Sequence, residues 1–127
     1  EVDAFEVDAV SILSFEKTRE TVPKLMRRIR ARQQNLYSPK NLPALDAQAL
    51  LFVDPPRSGL RDVLSHVSDA APEKRPRAIV YVSCFGESLA SDLGLLTNAC
   101  GYRLESLRGV DQFPDTPHCE WVATLVA

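Results

Sequence analysis

Two acids and a thiol stand where apolar runs of the sequence begin or end. Asp54 closes the run "LLFVD", Cys84 follows "AIVYVS", and Glu120 opens the final run "EWVATLVA". A thiol can act as a nucleophile and a carboxylate as a base. The three residues are 30 and 36 positions apart. They can form one site only if the fold brings the ends of these runs together.

The runs that carry these residues have the length and composition of buried strands. "ALLFVD" and "AIVYVS" are short and apolar at successive positions, as in strands of a parallel sheet covered by helices. Apolar residues at helical spacing predict a helix after each run. They are Leu60, Val63, Leu64 and Val67 in the first helix, and Leu89, Leu93, Leu96 and Cys100 in the second, with Gly101 as its terminator. "YRLESLRGV" and "EWVATLVA" are predicted to form a closing hairpin.

The first 49 residues give a less regular pattern. We predict a strand around Val7 to Leu13, which is rich in β-branched residues, and a helix from about Thr21 to Gln34. The following segment, "NLYSPKNLPALDAQ", contains two prolines and is predicted to be a loop. The order strand, helix, strand, helix, strand, strand indicates a single α/β domain whose last strand is antiparallel.

The predicted topology would gather the chemical groups at one rim of the sheet. Ligands of open α/β sheets bind beyond the carboxyl ends of the parallel strands, and Asp54 and Cys84 end two such strands. The hairpin would deliver "DQFPDTPHC" to the same rim, from which the last strand starts at Glu120. We therefore expect Asp54, Cys84 and Glu120 to lie near one another.

A thiol with a carboxylate suits methylation at carbon 5 of a uracil. C5 is too weak a nucleophile to attack a methyl donor, but a thiolate that adds at C6 gives C5 carbanion character. Cys84 would supply the thiolate, and Glu120 would remove the C5 proton after methylation so that the thiol can leave. A thiol protease is the alternative chemistry; it would need His118 as its base, and the sequence offers no oxyanion-hole signature.

Three motifs, in this order and spacing, resemble the S-adenosylmethionine-dependent RNA uracil-C5 methyltransferases, which form 5-methyluridine in transfer and ribosomal RNA. They are "DPPRSGL", "YVSC" and "DQFPDTPHCE", and the resemblance covers about Leu50 to the end. It implies the C-terminal half of a Rossmann-like class I methyltransferase sheet with an antiparallel last strand, S-adenosylmethionine as cofactor and RNA as partner. It also implies that Cys84 is the nucleophile and Glu120 the general base. The substrate or donor would be bound by Asp54, Pro55, Arg57, Phe113 and His118.

The sequence departs from this family in two places. The family follows its nucleophile with Asn-Pro, whereas this chain has Phe85 and Gly86, so the turn that presents Cys84 is in doubt. No two of the five glycines have the G-x-G spacing of a donor-binding loop. Residues 1–127 are therefore expected to be part of a catalytic domain whose donor-binding N-terminal half lies outside them, either in a longer protein or on another chain. The alternative is a catalytically inactive methyltransferase-like protein that binds RNA or helps to assemble a ribonucleoprotein such as the ribosome.

Charge and cysteine content indicate which partners and which cellular compartment suit this chemistry. The net charge is -2, yet residues 17–40 contain eight of the fifteen basic residues and only one acid, Glu20. This segment is either a solvated face or a contact for RNA phosphates. The three cysteines form no C-x-x-C pair, which argues against a disulfide framework or a metal site. Cysteines without a disulfide framework suit a reducing compartment, so we expect an intracellular protein of the cytoplasm or of an organelle such as the mitochondrion. No apolar run is long enough for a membrane span.

Overall fold

The computed structural model describes residues 1–112, 114–116 and 118–127, with the backbone only for Leu25, and consists of two compact units, residues 1–42 and 43–127. The first unit contains β1 (Val2–Glu6), α1 (Ala9–Thr21), α2 (Pro23–Met26), β2 (Ile29–Gln33) and a 3-10 turn (Pro39–Asn41). Its two strands pair in parallel. The unit is thus a strand, a helical crossover and a second strand, a small α/β element.

The predicted strand at Val7 to Leu13 is wrong, because most of this segment belongs to α1. Asp8 starts the helix: its carboxylate accepts hydrogen bonds from the hydroxyl and the backbone N–H of Ser11, both at 2.8 Å. These two bonds lower the pKa of the Asp8 carboxyl, which keeps it charged where a helix N-terminus favours an anion. The capping residue therefore outweighs the strand propensity of the β-branched residues that follow it.

The predicted helix from Thr21 to Gln34 is also wrong, because the segment forms the single turn α2 and then the strand β2. Pro23 lacks the N–H needed to continue α1 and occupies the first turn of α2 instead. Along β2 the partly buried Ile29 and Ala31 alternate with exposed arginines. This period of two is the pattern of a half-buried strand.

The basic segment 17–40 is partly neutralised by acids of the same unit. Arg30 pairs with Glu1 at 3.2 Å and with Asp3 at 3.0 Å, and Arg32 pairs with Asp3 at 3.6 Å. Arg19 pairs with Glu16 at 2.8 Å. The local excess of positive charge that the sequence suggests is therefore smaller in the folded unit.

The second unit is a four-stranded mixed sheet with two helices. Its elements are β3 (Leu50–Val53), α3 (Asp62–Asp69), a 3-10 turn (Pro72–Lys74), β4 (Ala78–Ser83), α4 (Gly86–Asn98), β5 (Arg103–Val110) and β6 (Glu120–Val126). The strand order is β3-β4-β6-β5; β3 and β4 are parallel, and β6 is antiparallel to both of its neighbours. The predicted α/β sheet with a reversed last strand is confirmed. Among the described residues, no helix is both long and apolar enough to cross a membrane.

The two faces of this sheet differ in burial. One face forms the core, where Ile79 and Tyr81 of β4 and Leu125 of β6 are inaccessible to solvent and cluster with apolar residues of α3 and α4. On β3 the alternate residues Leu50 and Phe52 are 51% and 62% exposed. The expectation that both faces of the apolar runs are covered therefore fails for β3 within these 127 residues.

Arg75 joins the ends of the two helices of this unit. Its guanidinium donates hydrogen bonds to the carbonyl oxygens of Ser68 and Ala70 at the end of α3, at 2.9 and 3.0 Å, and of Cys100 after α4, at 2.8 Å. Beyond Cys100, Gly101 has φ +78°, as predicted for a helix terminator. Arg75 thus satisfies carbonyls that the helices themselves leave without partners.

We expect Arg75→Met to lower the free energy of unfolding by about 2–4 kcal/mol, because three carbonyls lose a charged donor while the apolar stem is retained. Urea unfolding monitored by circular dichroism measures the loss. Arg77→Met, at an exposed arginine two residues away, is the control and should stay within about 0.5 kcal/mol of the parent protein. Equal effects of the two substitutions would contradict this role of Arg75.

Candidate active site at the carboxyl rim of the sheet

The pairing of β4 with β6 brings Cys84 and Glu120 to the same end of the sheet. Ser83, the last residue of β4, is paired with Trp121 in the antiparallel ladder. Cys84 and Glu120 are the next residues beyond this pair, Cys84 on the bend that leaves β4 and Glu120 at the start of β6. The thiol and the carboxylate therefore belong to adjoining segments although 36 positions separate them.

A small cavity lies at this point of the rim. Its volume is about 170 Å³, and the described residues that line it are Arg57, Cys84, His118, Cys119 and Glu120. The volume is well above the roughly 10–15 Å³ that one water molecule needs. The cavity thus brings a thiol, a carboxylate, an imidazole and a guanidinium to one place.

The remaining predicted site residues have different positions. Asp54 is exposed and Pro55 is half-buried on the turn after β3, and neither is among the residues that line the cavity. Phe113 lies outside the described residues. Their roles stay predictions.

Two residues with a part in the site were missed or assigned otherwise from the sequence. Cys119 is not among the site residues expected from the sequence, yet it lines the cavity, and its Sγ lies 3.6 Å from the Val110 carbonyl oxygen and 3.4 Å from that of Glu120. Asp92 was not singled out, although it is a buried acid of α4 that contacts the turn carrying Arg57. The signal for Asp92 was present: an acid three positions after Leu89 and four before Leu96 lies on the apolar face of its helix.

The turn that presents Cys84 is held without the Asn-Pro pair. The Ser83 hydroxyl accepts a hydrogen bond from the Phe85 N–H at 3.1 Å and donates one to the Phe85 carbonyl oxygen at 3.0 Å. The Ser88 hydroxyl donates to the same carbonyl at 3.2 Å, and α4 begins at Gly86. Serine side chains therefore supply the local bonds of this turn.

The turn that carries Arg57 is equally well defined. The Gly59 N–H donates to the Pro56 carbonyl oxygen at 3.0 Å, and Gly59 has φ +75°. A Cβ added at Gly59 would lie only 2.6 Å from Oδ2 of Asp92. Position 59 therefore requires glycine both for its backbone conformation and for the close approach of the carboxylate.

We expect Gly59→Ala to destabilise the protein by about 3 kcal/mol or more, since it combines an unfavourable φ with a clash against a buried side chain. Gly101→Ala is a matched control, because Gly101 has φ +78° but no atom lies within 4 Å of the added Cβ. We expect this substitution to lower the free energy of unfolding by only about 1–2 kcal/mol. Urea unfolding of both variants measures the difference. If Gly59→Ala costs no more than Gly101→Ala, Asp92 is not packed against the turn as described.

The chain is similar to known proteins over most of its length. The sequence profile of the family described as tRNA (Uracil-5-)-methyltransferase matches residues 6–126. The chain belongs to the tRNA (uracil-5-)-methyltransferase family. The match extends well upstream of Leu50, so the first 49 residues share in a resemblance that the motifs alone had placed only in the rest of the chain.

Individual members of this family show the same relationship. An uncharacterized RNA methyltransferase of Bdellovibrio bacteriovorus is 34% identical over 125 residues, which are 96% of this chain and 32% of that protein. A 23S rRNA (uracil(1939)-C(5))-methyltransferase of Xanthomonas campestris is 48% identical over 75 residues, or 59% of this chain and 16% of the relative. The crystal structure of the Pyrococcus abyssi tRNA (uracil-54, C5)-methyltransferase in complex with S-adenosyl-L-homocysteine matches with a TM-score of 0.70 and 27% identity, over 99% of this chain and 29% of that one. The chain thus spans about a third or less of the length of these relatives.

Proposed function

We propose that the cavity formed by Cys84 and Glu120 is the uracil site of an S-adenosylmethionine-dependent RNA methyltransferase that forms 5-methyluridine. The observation that carries this proposal is that Cys84 and Glu120 line one cavity at the rim of the sheet. Membership of the uracil-5-methyltransferase family supports the reaction, and the relatives that act on transfer and 23S ribosomal RNA support RNA as the substrate.

Each group in the cavity has a task in this reaction. The Cys84 thiolate adds to C6 of the uracil, and the electron pair of the C5–C6 double bond becomes available at C5, which takes the methyl group. Glu120 then removes the proton from C5, the double bond re-forms, and the thiolate leaves C6. Arg57 supplies positive charge for an anionic group of the substrate, which is the enolate oxygen or a phosphate of the flipped nucleotide.

The methyl donor supplies the electrophilic methyl group and needs a binding site of its own. In class I methyltransferases an acid at the end of a strand that precedes a helix binds the ribose hydroxyls. Glu6 ends β1 directly ahead of α1, is exposed, and accepts a hydrogen bond from the Asp8 N–H at 2.8 Å. Glu6 fits the ribose part of a donor site, while the glycine-rich loop that would hold the rest is not encoded in residues 1–127. We propose that these residues are part of a catalytic domain and that the glycine-rich loop is contributed from outside them.

The three cysteines are all free thiols, as a nucleophile requires. This supports a reducing location, the cytoplasm or an organelle such as the mitochondrion.

Product analysis tests the proposed function. The protein as its gene encodes it is incubated with S-adenosylmethionine and with transfer RNA or 23S ribosomal RNA transcripts, and the nucleosides are separated by mass spectrometry. We expect 5-methyluridine to appear in one class of RNA. Binding to RNA without any 5-methyluridine would favour the inactive ribonucleoprotein-assembly alternative.

A further inference from the structure

Asp92 is a buried acid that the chemistry described above does not use. It lies on α4, is 8% exposed, and uses one oxygen, Oδ2, to accept hydrogen bonds from the Leu60 N–H at 2.8 Å and from the Tyr81 hydroxyl at 2.7 Å. Burying a carboxylate is unfavourable unless its hydrogen bonds are satisfied, and an apolar residue here would remove the acceptor of the Leu60 N–H and the Tyr81 hydroxyl. The acid therefore links the two segments that carry these donors.

The two partners of Asp92 belong to the two segments that form the cavity. Leu60 follows Arg57 by three residues on the turn after β3, and Tyr81 precedes Cys84 by three residues on β4. The close packing of Gly59 against the same carboxylate oxygen leaves no room for this turn to move toward α4. Asp92 thus connects, through one atom, the segment that carries the guanidinium with the strand that carries the thiol.

We propose that Asp92 is a positioning residue that holds the turn after β3 against β4, so that Arg57 keeps its place in the lining of the cavity that also contains Cys84. The importance of Asp92 for catalysis rests on the proposed function. The effect of Asp92 on the place of Arg57 does not rest on it, and this effect can be measured without any RNA.

The test is the rate at which Cys84 is alkylated by iodoacetate relative to iodoacetamide at pH 8, followed by peptide mass spectrometry to separate Cys84 from the other two cysteines. Both reagents react with the same thiolate, so their ratio cancels the thiolate fraction and reports positive charge near the sulfur. Arg57→Gln should lower the ratio about fivefold, as expected for one charge a few ångströms away in water.

Asp92→Ala should lower the ratio by a similar factor, and the double variant with Arg57→Gln should fall no further, because Asp92 acts through Arg57. A fall of this ratio in Asp92→Ala would identify an effect through Arg57, since removing the negative charge of Asp92 would by itself raise the preference for iodoacetate. Asp92→Asn, whose side-chain oxygen can accept both hydrogen bonds, should keep the ratio at or above the parent value, because it keeps Arg57 in place while it removes the negative charge. If Asp92→Ala does not fold, Asp92→Leu takes its place, because its branched apolar side chain fills the space that alanine would leave empty.

A parallel fall of both alkylation rates with an unchanged ratio would overturn the proposal, as would a further loss in the double variant. A catalytic assay separates the two claims. In an active protein, Asp92→Ala should lower the rate of methyl transfer about 100-fold, and Asp92→Asn should restore it. If the parent protein forms no 5-methyluridine, the proposed function fails while the alkylation ratio still decides the role of Asp92.

Discussion

Cys84→Ser is expected to lower the rate of 5-methyluridine formation by at least about 10³-fold. Without a thiolate at C6, C5 of the uracil stays too weak a nucleophile to take the methyl group, and a serine hydroxyl is far less ionised than a thiol at neutral pH. Transfer of a labelled methyl group from S-adenosylmethionine to RNA, under single-turnover conditions, measures the effect.

Cys119→Ser provides the matched comparison, because Cys119 is the other thiol that lines the same cavity. We expect it to lose no more than about tenfold, since its Sγ lies beside the backbone carbonyls of Val110 and Glu120. If Cys119→Ser were inactive and Cys84→Ser were active, the two thiols would have the opposite roles.

Glu120→Gln is expected to stop the reaction at a later stage. The thiolate can still add and the methyl group can still be transferred, but the C5 proton has no base to accept it, so the product cannot leave the protein. Turnover should fall about 10²–10⁴-fold, while a covalent complex of protein and methylated RNA accumulates. Denaturing gels with RNA labelled at one end detect this complex.

Glu87→Gln, at an exposed acid in the first turn of α4, is the control and should neither slow turnover nor trap RNA. Loss of activity in Glu120→Gln without any covalent complex would indicate that Glu120 acts before the thiol adds, and would contradict its assignment as the C5 base.

The second unit was predictable because its signals are local and agree with one another. The two apolar runs, the helical spacing of leucines between them and the glycine after α4 each indicate one element, and their order restricts the topology. The first 42 residues were mispredicted because two signals conflict there. Val10 and Ile12 favour a strand, but the side chain of Asp8 starts a helix over them. Ile29 continues the helical spacing of the apolar residues before it, but it lies on β2, which pairs with β1.

The candidate site was predictable only as far as strand ends could be identified. Cys84 follows β4, Glu120 begins β6, and His118 lies two residues before Glu120. Arg57 lies on the turn after β3, so the rule for open sheets brings all four residues to one rim. Asp54 satisfies the same rule yet lies exposed outside the cavity lining, because the course of the turn after the strand decides which of its side chains points inward. Asp92 is far from any strand end in sequence, and its part in the site depends on hydrogen bonds between three elements.

The most direct test of the proposed reaction is whether Cys84 forms a covalent bond with RNA that contains 5-fluorouridine in place of uridine, in the presence of S-adenosylmethionine. Fluorine at C5 cannot be removed as a proton by Glu120, so a protein that works as proposed should stay attached after thiol addition and methyl transfer. We expect a complex that survives denaturation, maps to the Cys84 peptide and is absent in Cys84→Ala. Failure to form this complex on RNA that the protein methylates, or attachment through another residue, would contradict the proposed role of Cys84.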